Sequence, residues 1–510
     1  MIEWIEPIDG IKEQEHKMQL AQFSGGKSNR LAPQFIQPTE GVIFKNIETT
    51  RGILEPIKSP LDLSISINKY FYKFKDTFIS SNSKRYYLEY QEKLYYTEEN
   101  TYPKKFDGTT ENRLGIVGPT NIPVTVTDGV GPHIGTYQYC YTYYNEVDGT
   151  ESKPSTYSDE IEATNEALRT QIILSDDPQV THIRLYRIGG DITTMTLVIQ
   201  LDNVSVFYTD SIADLDIDGS VLDTYNSYEA PDNLKYLVEA YASFFGAVGD
   251  KLWFSAAGFP NAWSPLQTID FDADITGIGV LPEGILVFTK YKTYIITGTD
   301  SSTFVKYLLS SDQGCIAHSS INFIQNILVW ASQDGICSSN GTAIQVISQD
   351  KLGNLDLVIE SSLVFEDVYY LSTPTTLLCL DMRYNPIFKE FEVQGDYIAS
   401  FDDTLYIHNN GALFELLKGT TDLTFTYKTG LLTDGGLTFN KNYSTIKARV
   451  IGELIVKVYI DEILVDTTII NEEEINTVDI SLGRVSQAGF SLEFEVSGTG
   501  KLFEISYKVA

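Results

Sequence analysis

Short runs of β-branched and aromatic residues, closed at both ends by turn residues, recur along almost the whole chain and restrict it to strands. Tyr137-Gln138-Tyr139-Cys140-Tyr141-Thr142-Tyr143-Tyr144, Leu252-Trp253-Phe254-Ser255, Ile285-Leu286-Val287-Phe288 and Leu454-Ile455-Val456-Lys457-Val458-Tyr459-Ile460 are examples. Such residues suit a pleated, half-buried surface, and 32 Tyr with 26 Phe supply them in quantity. Between the runs stand Asp148-Gly149, Asn340-Gly341 and Asn410-Gly411, pairs that tolerate the positive φ of tight hairpins. A 3.6-residue period is found only near Ala230–Ala242 and in the N-terminal tail, where helix is predicted. The fold class predicted is all-β.

Three patterns divide the 510 residues. A strand-turn-strand unit recurs at Lys93–Thr97, Lys251–Ser255, Gly284–Thr297, Asn326–Ile347, Val368–Phe391 and Thr404–Leu417. A recurrence at roughly 30–50 residues points to β-propeller blades; unrelated hairpins in a large sandwich are the competing reading. Residues 119–229 interrupt the repeat with strands at a spacing of roughly 8–12 residues, as in a fibronectin-like β-sandwich. Clean alternation in residues 421–510 predicts a C-terminal β-sandwich. The expected domains are therefore 1–118, an N-terminal arm and the first part of the propeller; 119–229, the insert; 230–420, the rest of the propeller; and 421–510.

Charge is distributed unevenly. Residues 1–118 carry 16 Lys+Arg against 16 Asp+Glu, residues 119–229 carry 4 against 18, residues 230–420 carry 9 against 22, and residues 421–510 carry 8 against 13. The total of −32 excludes a protein that grips nucleic acid through its net charge. The 43% apolar share excludes intrinsic disorder, and no apolar run approaches the roughly 18 residues of a membrane span. The acidic start, Met1–Glu6, lacks the build of a signal peptide. Cys140, Cys315, Cys337 and Cys379 are far apart and read as reduced, buried residues.

No catalytic or metal-binding set emerges, and no cofactor is expected. His16, His133, His182, His318 and His408 are isolated. Gly25-Gly26-Lys27-Ser28 ends like a phosphate loop, but Ala21 occupies the first glycine position. Asp214-Leu215-Asp216-Ile217-Asp218-Gly219 copies the start of a calcium loop, yet Tyr225 stands where the bidentate Glu belongs, so a solvated acidic turn is the simpler reading. Ser332-Gln333-Asp334-Gly335 falls short of the sialidase box in glycine spacing and tryptophan. The chain reads as a non-enzyme.

Gly249-Asp250-Lys251-Leu252-Trp253-Phe254-Ser255, followed by Gly258-Phe259-Pro260-Asn261-Ala262-Trp263, resembles a signature of the tail hub or nozzle proteins of short-tailed bacteriophages, also called phage stabilisation or tail tubular protein B-like proteins. Gly25–Pro33, Glu40–Ile47 and Gly52–Pro56 are similar to the opening of such proteins, Tyr139–Ser155 with Thr181–Arg187 and Phe207–Asp210 to their fibronectin-like insert, and Ser497–Gly500 to their C-terminal sandwich. The resemblance implies a virion structural role: a ring, usually a hexamer, around the channel for DNA ejection. Its partners would be portal or adaptor rings and distal spike, needle or fibre proteins. Duplex DNA would pass without specific binding. It further implies assembly in the host cytoplasm and no catalytic residues. The signature residues carried over are Trp253, Phe254, Phe259, Pro260 and Trp263. Among the basic residues of the neutral first segment (Lys69, Lys73, Lys75, Lys84, Arg85, Lys104 and Lys105), Lys104 and Lys105 are the predicted docking contacts for an acidic neighbouring ring. Carboxylates facing the channel would repel phosphates across a Debye length of ~8–10 Å; ordinary solubility explains the same charge. The alternative function is a carbohydrate-binding or carbohydrate-cleaving tail propeller acting in host attachment, which requires exposed aromatics beside a carboxylate pair.

Overall fold

A computed structural model describes residues 16–50, 52–352, 358–383, 386–434, 436–438, 440–480, 482 and 487–510. The expectations for the start of the chain and for a helical N-terminal tail fall outside these residues. The described residues contain no α-helix, only the short 3-10 turns Pro33–Phe35, Asp214–Asp216 and His318–Ser320. None of their helices is long and apolar enough to cross a membrane. The described residues are nearly all-β, built from many small sheets and one of 14 strands, with mostly antiparallel pairing.

The helix predicted near Ala230–Ala242 is a hairpin instead. Lys235–Ala240 pairs antiparallel with Ser243–Val248 through Glu239↔Phe244 and Ala240↔Ser243. A bulge between Lys235 and Val238, with Tyr236 at φ 61°, inserts an extra residue on the buried face. Leu234, Leu237 and Ala240 are therefore all buried at spacings of three, and the bulged strand imitates a helical period.

The chain separates into two compact units, residues 72–318 and residues 1–71 with 319–510. In the first unit, four-stranded meanders cover residues 85–113, 235–270 and 275–310. Tight turns join their strands, as at Gln91-Glu92 and Tyr241-Ala242, where both residues have positive φ as type I′ turns require. Between the first two meanders lies a five-stranded sheet in the order Ile192–Asp202, His182–Gly189, Val124–Tyr144, Ile161–Gln171, Phe207–Asp210. Alternation along Val124–Tyr144 buries Tyr137, Tyr139, Tyr141 and Tyr143 on one face, while Cys140 packs with Tyr186, Met195 and Leu222 on the other.

In the second unit, residues 322–346 form another meander. The meander of residues 361–391 continues into a 14-stranded sheet containing Ile43–Lys45, Phe425–Lys428, Leu492–Gly498, Lys441–Ile460 and Lys501–Val509. N-terminal strands are thus sewn between C-terminal ones, and His16–Leu20 pairs with the final strand from His16↔Val509 to Leu20↔Ile505. Residues 397–415 supply three strands of a further sheet, and Leu61–Ser66 supplies the fourth through Ala412↔Ser66 and Glu415↔Leu61. Strands separated by more than 300 residues complete one sheet, which gives the early part of the chain a structural reason to be where it is.

Candidate functional site

The signature residues lie in the unit of residues 72–318. Lys251–Phe254 is the third strand of its meander, so Trp253 and Phe254 point to opposite faces. Phe254 is buried, with ring centroids 5.6 Å from Phe245 and 5.4 Å from Phe304. Half-buried Trp253 packs against the cluster of Leu234, Leu237, Phe244 and Trp263. The chain then turns through Gly258, at φ 79°, and the turn is held by Phe259 N–H to Ala256 O, 3.0 Å, and Ala262 N–H to Phe259 O, 3.0 Å. Trp263 is 0% exposed; its indole N–H donates to Pro260 O at 2.8 Å and its backbone N–H to Tyr228 O at 2.8 Å. This plug fixes the loop and leaves Phe259 58% exposed at its tip.

Lys104 and Lys105 occupy opposite faces of the strand Lys104–Phe106 and have different fates. Lys104 Nζ donates to Glu111 at 2.6 Å near the surface. Lys105 is only 7% exposed, and its ammonium donates to Asp148 at 2.7 Å and to Asn261 Oδ1 at 3.3 Å. Asn261 Nδ2 donates in turn to Thr150 Oγ1 at 2.8 Å. One buried ammonium therefore ties the first meander, the Asp148–Thr150 turn of the five-stranded sheet and the signature loop together. Burial lowers the Lys105 ammonium below its ordinary value although Asp148 opposes this. Burial alone would raise the Asp148 carboxyl, but the charge and hydrogen bond of Lys105, with Thr150, hold it below the usual carboxylate range. Lys105 is thus an internal tie, which corrects its assignment as a docking contact: its ammonium is buried against Asp148, and removing either partner would leave an uncompensated buried charge.

Two clefts flank this tie. One, of about 270 Å³, is lined by Tyr95, Asp148, Glu151, Ser227, Phe259 and Pro260 among others. The second, of about 460 Å³, includes Phe106, Asp107, Asn145, Val147 and Gln179. The carboxylates of the first are already engaged. Glu151 accepts from Thr142 Oγ1 and Tyr186 Oη, both at 2.6 Å, and from Arg184 at 2.8 Å. Asp223, on the same wall, accepts from Tyr225 N–H at 2.8 Å and Asn226 Nδ2 at 2.9 Å. Ser227 differs: it is 2% exposed, and its hydroxyl has no hydrogen-bond partner among the described residues. Tyr95, Ser227 and Asp148 escaped the sequence reading because their segments come together only in the folded unit. Asp148-Gly149 gave a turn signal and nothing more.

The other sequence candidates resolve into structural roles. Asp214 is held by Arg187 at 2.9 Å, Tyr137 Oη at 3.0 Å and Asp191 N–H at 3.0 Å, while Asp216 and Asp218 are exposed. Arg187 itself is 0% exposed and also contacts Asp210 and His133. His318 packs against both Tyr86 and Tyr236, which also touch each other, and burial, with Lys84 nearby, lowers it to about 3. His408 Nε2 meets Ile67 O at 3.2 Å. Lys27 pairs with Glu390, and Ser332 closes its own hairpin by donating to Gly335 O at 3.1 Å. All four cysteines are buried and none is in a disulfide. Among the described residues, no group of three or more His, Cys, Asp or Glu side chains is arranged to hold a metal ion.

No protein-family model and no curated protein matches the chain. Solved structures resemble it only at low levels, the following three among them. The computationally designed Ika8 protein has a TM-score of 0.32 and 11% identity, covering 78% of this chain and 99% of its own. BamB from Moraxella catarrhalis has a TM-score of 0.27 and 11% identity, covering 57% and 95%. Sqt1 from Saccharomyces cerevisiae has a TM-score of 0.28 and 9% identity, covering 60% and 99%. Likenesses at these scores carry no argument about this chain.

Proposed function

We propose that the chain is a tail hub or nozzle subunit of a short-tailed bacteriophage, a ring-forming structural protein around the channel through which duplex DNA leaves the virion. In this reading the four-stranded sheets are the blades of one propeller, closed by Leu61–Ser66; the five-stranded sheet is a fibronectin-like insert, and the C-terminal strands form a sandwich. The observation that carries the proposal is an order of parts: a first meander, an intervening five-stranded sheet, then a meander bearing the Gly249–Ser255 and Gly258–Trp263 signature. Repeated meanders alone suit many proteins, whereas this interruption at this place matches the segments that the resemblance names.

A wall of this kind has to let phosphates pass. Lys and Arg on it would exchange counterions for phosphate contacts and hold the duplex, so a net charge of −32 suits passage. Upstream partners would be portal or adaptor rings and distal partners spikes, needles or fibres, with the protein located in the virion tail. Docking to an acidic neighbour falls to Lys104 and not to Lys105. Negative-stain imaging of the purified chain, alone and with its upstream ring, is the test. Closed rings in either sample are expected; monomers in both would refute the proposal.

A further inference from the structure

We infer that the cleft beside Phe259 binds the ring of a neutral saccharide. The inference stands apart from the ring-forming role, since it rests on the lining of one cleft within residues 72–318.

The lining eliminates other ligand classes in turn. An anion would meet Asp148, Glu151 and Asp223 on the wall, and the nearby Lys105 is already committed to Asp148. A metal ion would need free carboxylate oxygens, but those of Asp148, Glu151 and Asp223 accept hydrogen bonds from Lys105, Thr150, Arg184, Tyr186, Tyr225 and Asn226. An organic cation would find Asp148 and Glu151 already neutralised by Lys105 and Arg184, and would meet Lys93 on the same wall. A wholly apolar ligand would cover the polar side chains of Gln91, Lys93 and Asn226, which line the cleft, and strip them of water without replacing its hydrogen bonds. What remains is a neutral molecule with a hydroxyl-rich edge and one apolar face. A sugar ring has both, and its C–H face fits the exposed Phe259 ring beside Pro260. The loop that carries Phe259 is fastened on both sides, by the Trp263 indole bond to Pro260 O and by the Asn261 bonds to Thr150 and Lys105.

The volume of about 270 Å³ limits occupancy to about one ring. No cleavage is inferred, because the carboxylates that would serve as acid and base are already engaged by protein donors.

The test is ligand-observed NMR on the full chain with glucose, galactose, N-acetylglucosamine and rhamnose, and with inorganic phosphate and calcium chloride as probes of the excluded classes. At least one sugar should bind, and phosphate and calcium should not displace it. Phe259→Ala should weaken that sugar about tenfold by removing its stacking face, without changing thermal stability. Leu215→Ala, at a 91% exposed position on another loop of the same unit, should bind as the parent does. Absence of binding by all four sugars would overturn the inference, as would unchanged binding by Phe259→Ala or displacement of the sugar by phosphate.

Discussion

Charge reversal at Lys104 and at Lys105 should have effects that differ by several kcal/mol, although the two residues are adjacent and chemically identical. Lys104 pairs with Glu111 at the surface, with side chains 20% and 44% exposed. Water screens such a pair, and losing it costs at most about 1 kcal/mol. Lys105 and Asp148 are 8% and 16% exposed, and the ammonium also serves Asn261. Lys105→Glu removes the cation and sets a second carboxylate against Asp148 in the same dry space. Breaking a buried pair from one side costs about 3–5 kcal/mol, and the added repulsion places this substitution at the upper end. For a unit of this size each kcal/mol moves the midpoint by roughly 2–4 °C, so Lys105→Glu should lower Tm by roughly 6–20 °C and Lys104→Glu by roughly 4 °C or less. Calorimetry of the full chain at pH 7 reads both. Lys105→Met should fall between them, since Asp148 then loses its partner without gaining a rival. Equal midpoints for Lys104→Glu and Lys105→Glu would refute the assignment of Lys105 as an internal tie.

Trp263→Ala should cost about 3–5 kcal/mol in urea unfolding, the price of an emptied aromatic site, and Trp263→Phe distinctly less. Burial would raise the Asp381 carboxyl, but Arg383 and buried Lys389 hold it at about 2. Its folded value lies below the unfolded 3.8, so it contributes about 2 kcal/mol that is fully present above pH ~4 and lost as pH falls through about 2; Asp381→Asn should flatten that acid limb in a pH series of thermal melts. Arg187→Met should destabilise by about 3–5 kcal/mol because Asp210 and Asp214 lose their buried cation, and adding Asp210→Asn should recover part of that loss in the same assay.

Strand content was legible because alternation and β-branched composition act locally, and Tyr137–Tyr144 buries alternate tyrosines as its pattern states. Pairing partners were not legible. Leu61–Ser66 carries no mark that it completes a sheet with Ala412–Glu415, and the resulting loop closure is paid for by contacts that no local window contains. The bulge at Lys235/Val238 shows the opposite failure: a strand wrote a helical spacing into the sequence by burying one residue out of turn. At the site, Phe259, Pro260 and Trp263 were legible as a motif, and the plug and rim follow from it. The separate roles of Lys104 and Lys105 were half legible, since strand alternation puts neighbours on opposite faces. Which face was dry depended on Asp148 and Asn261, supplied by segments 43 and 156 residues away.

The acidic excess can be followed to individual partners in residues 119–229, where four basic side chains stand among eighteen acidic ones. Lys153 pairs with Glu229, Arg184 with Glu151, and Arg187 with Asp210 and Asp214. The fourth, Arg169, lies 4.5 Å over the Phe207 ring. Cations are thus committed to internal contacts, and most carboxylates of this segment have no lysine or arginine counter-charge among the described residues. Such a segment repels itself, and the repulsion weakens as the Debye length falls from ~30 Å at 0.01 M salt to roughly 3–5 Å near 0.5–1 M. The buried pairs of Arg187 and Lys105 are screened far less, so added salt removes more repulsion than attraction. Thermal stability of the full chain should therefore rise between 10 mM and 500 mM sodium chloride, by about 1 kcal/mol or more if several carboxylates contribute. A midpoint that falls with salt would mean that surface ion pairs, and not like-charge repulsion, dominate the field of this protein, and would remove the electrostatic argument for a wall that duplex DNA passes without adhering.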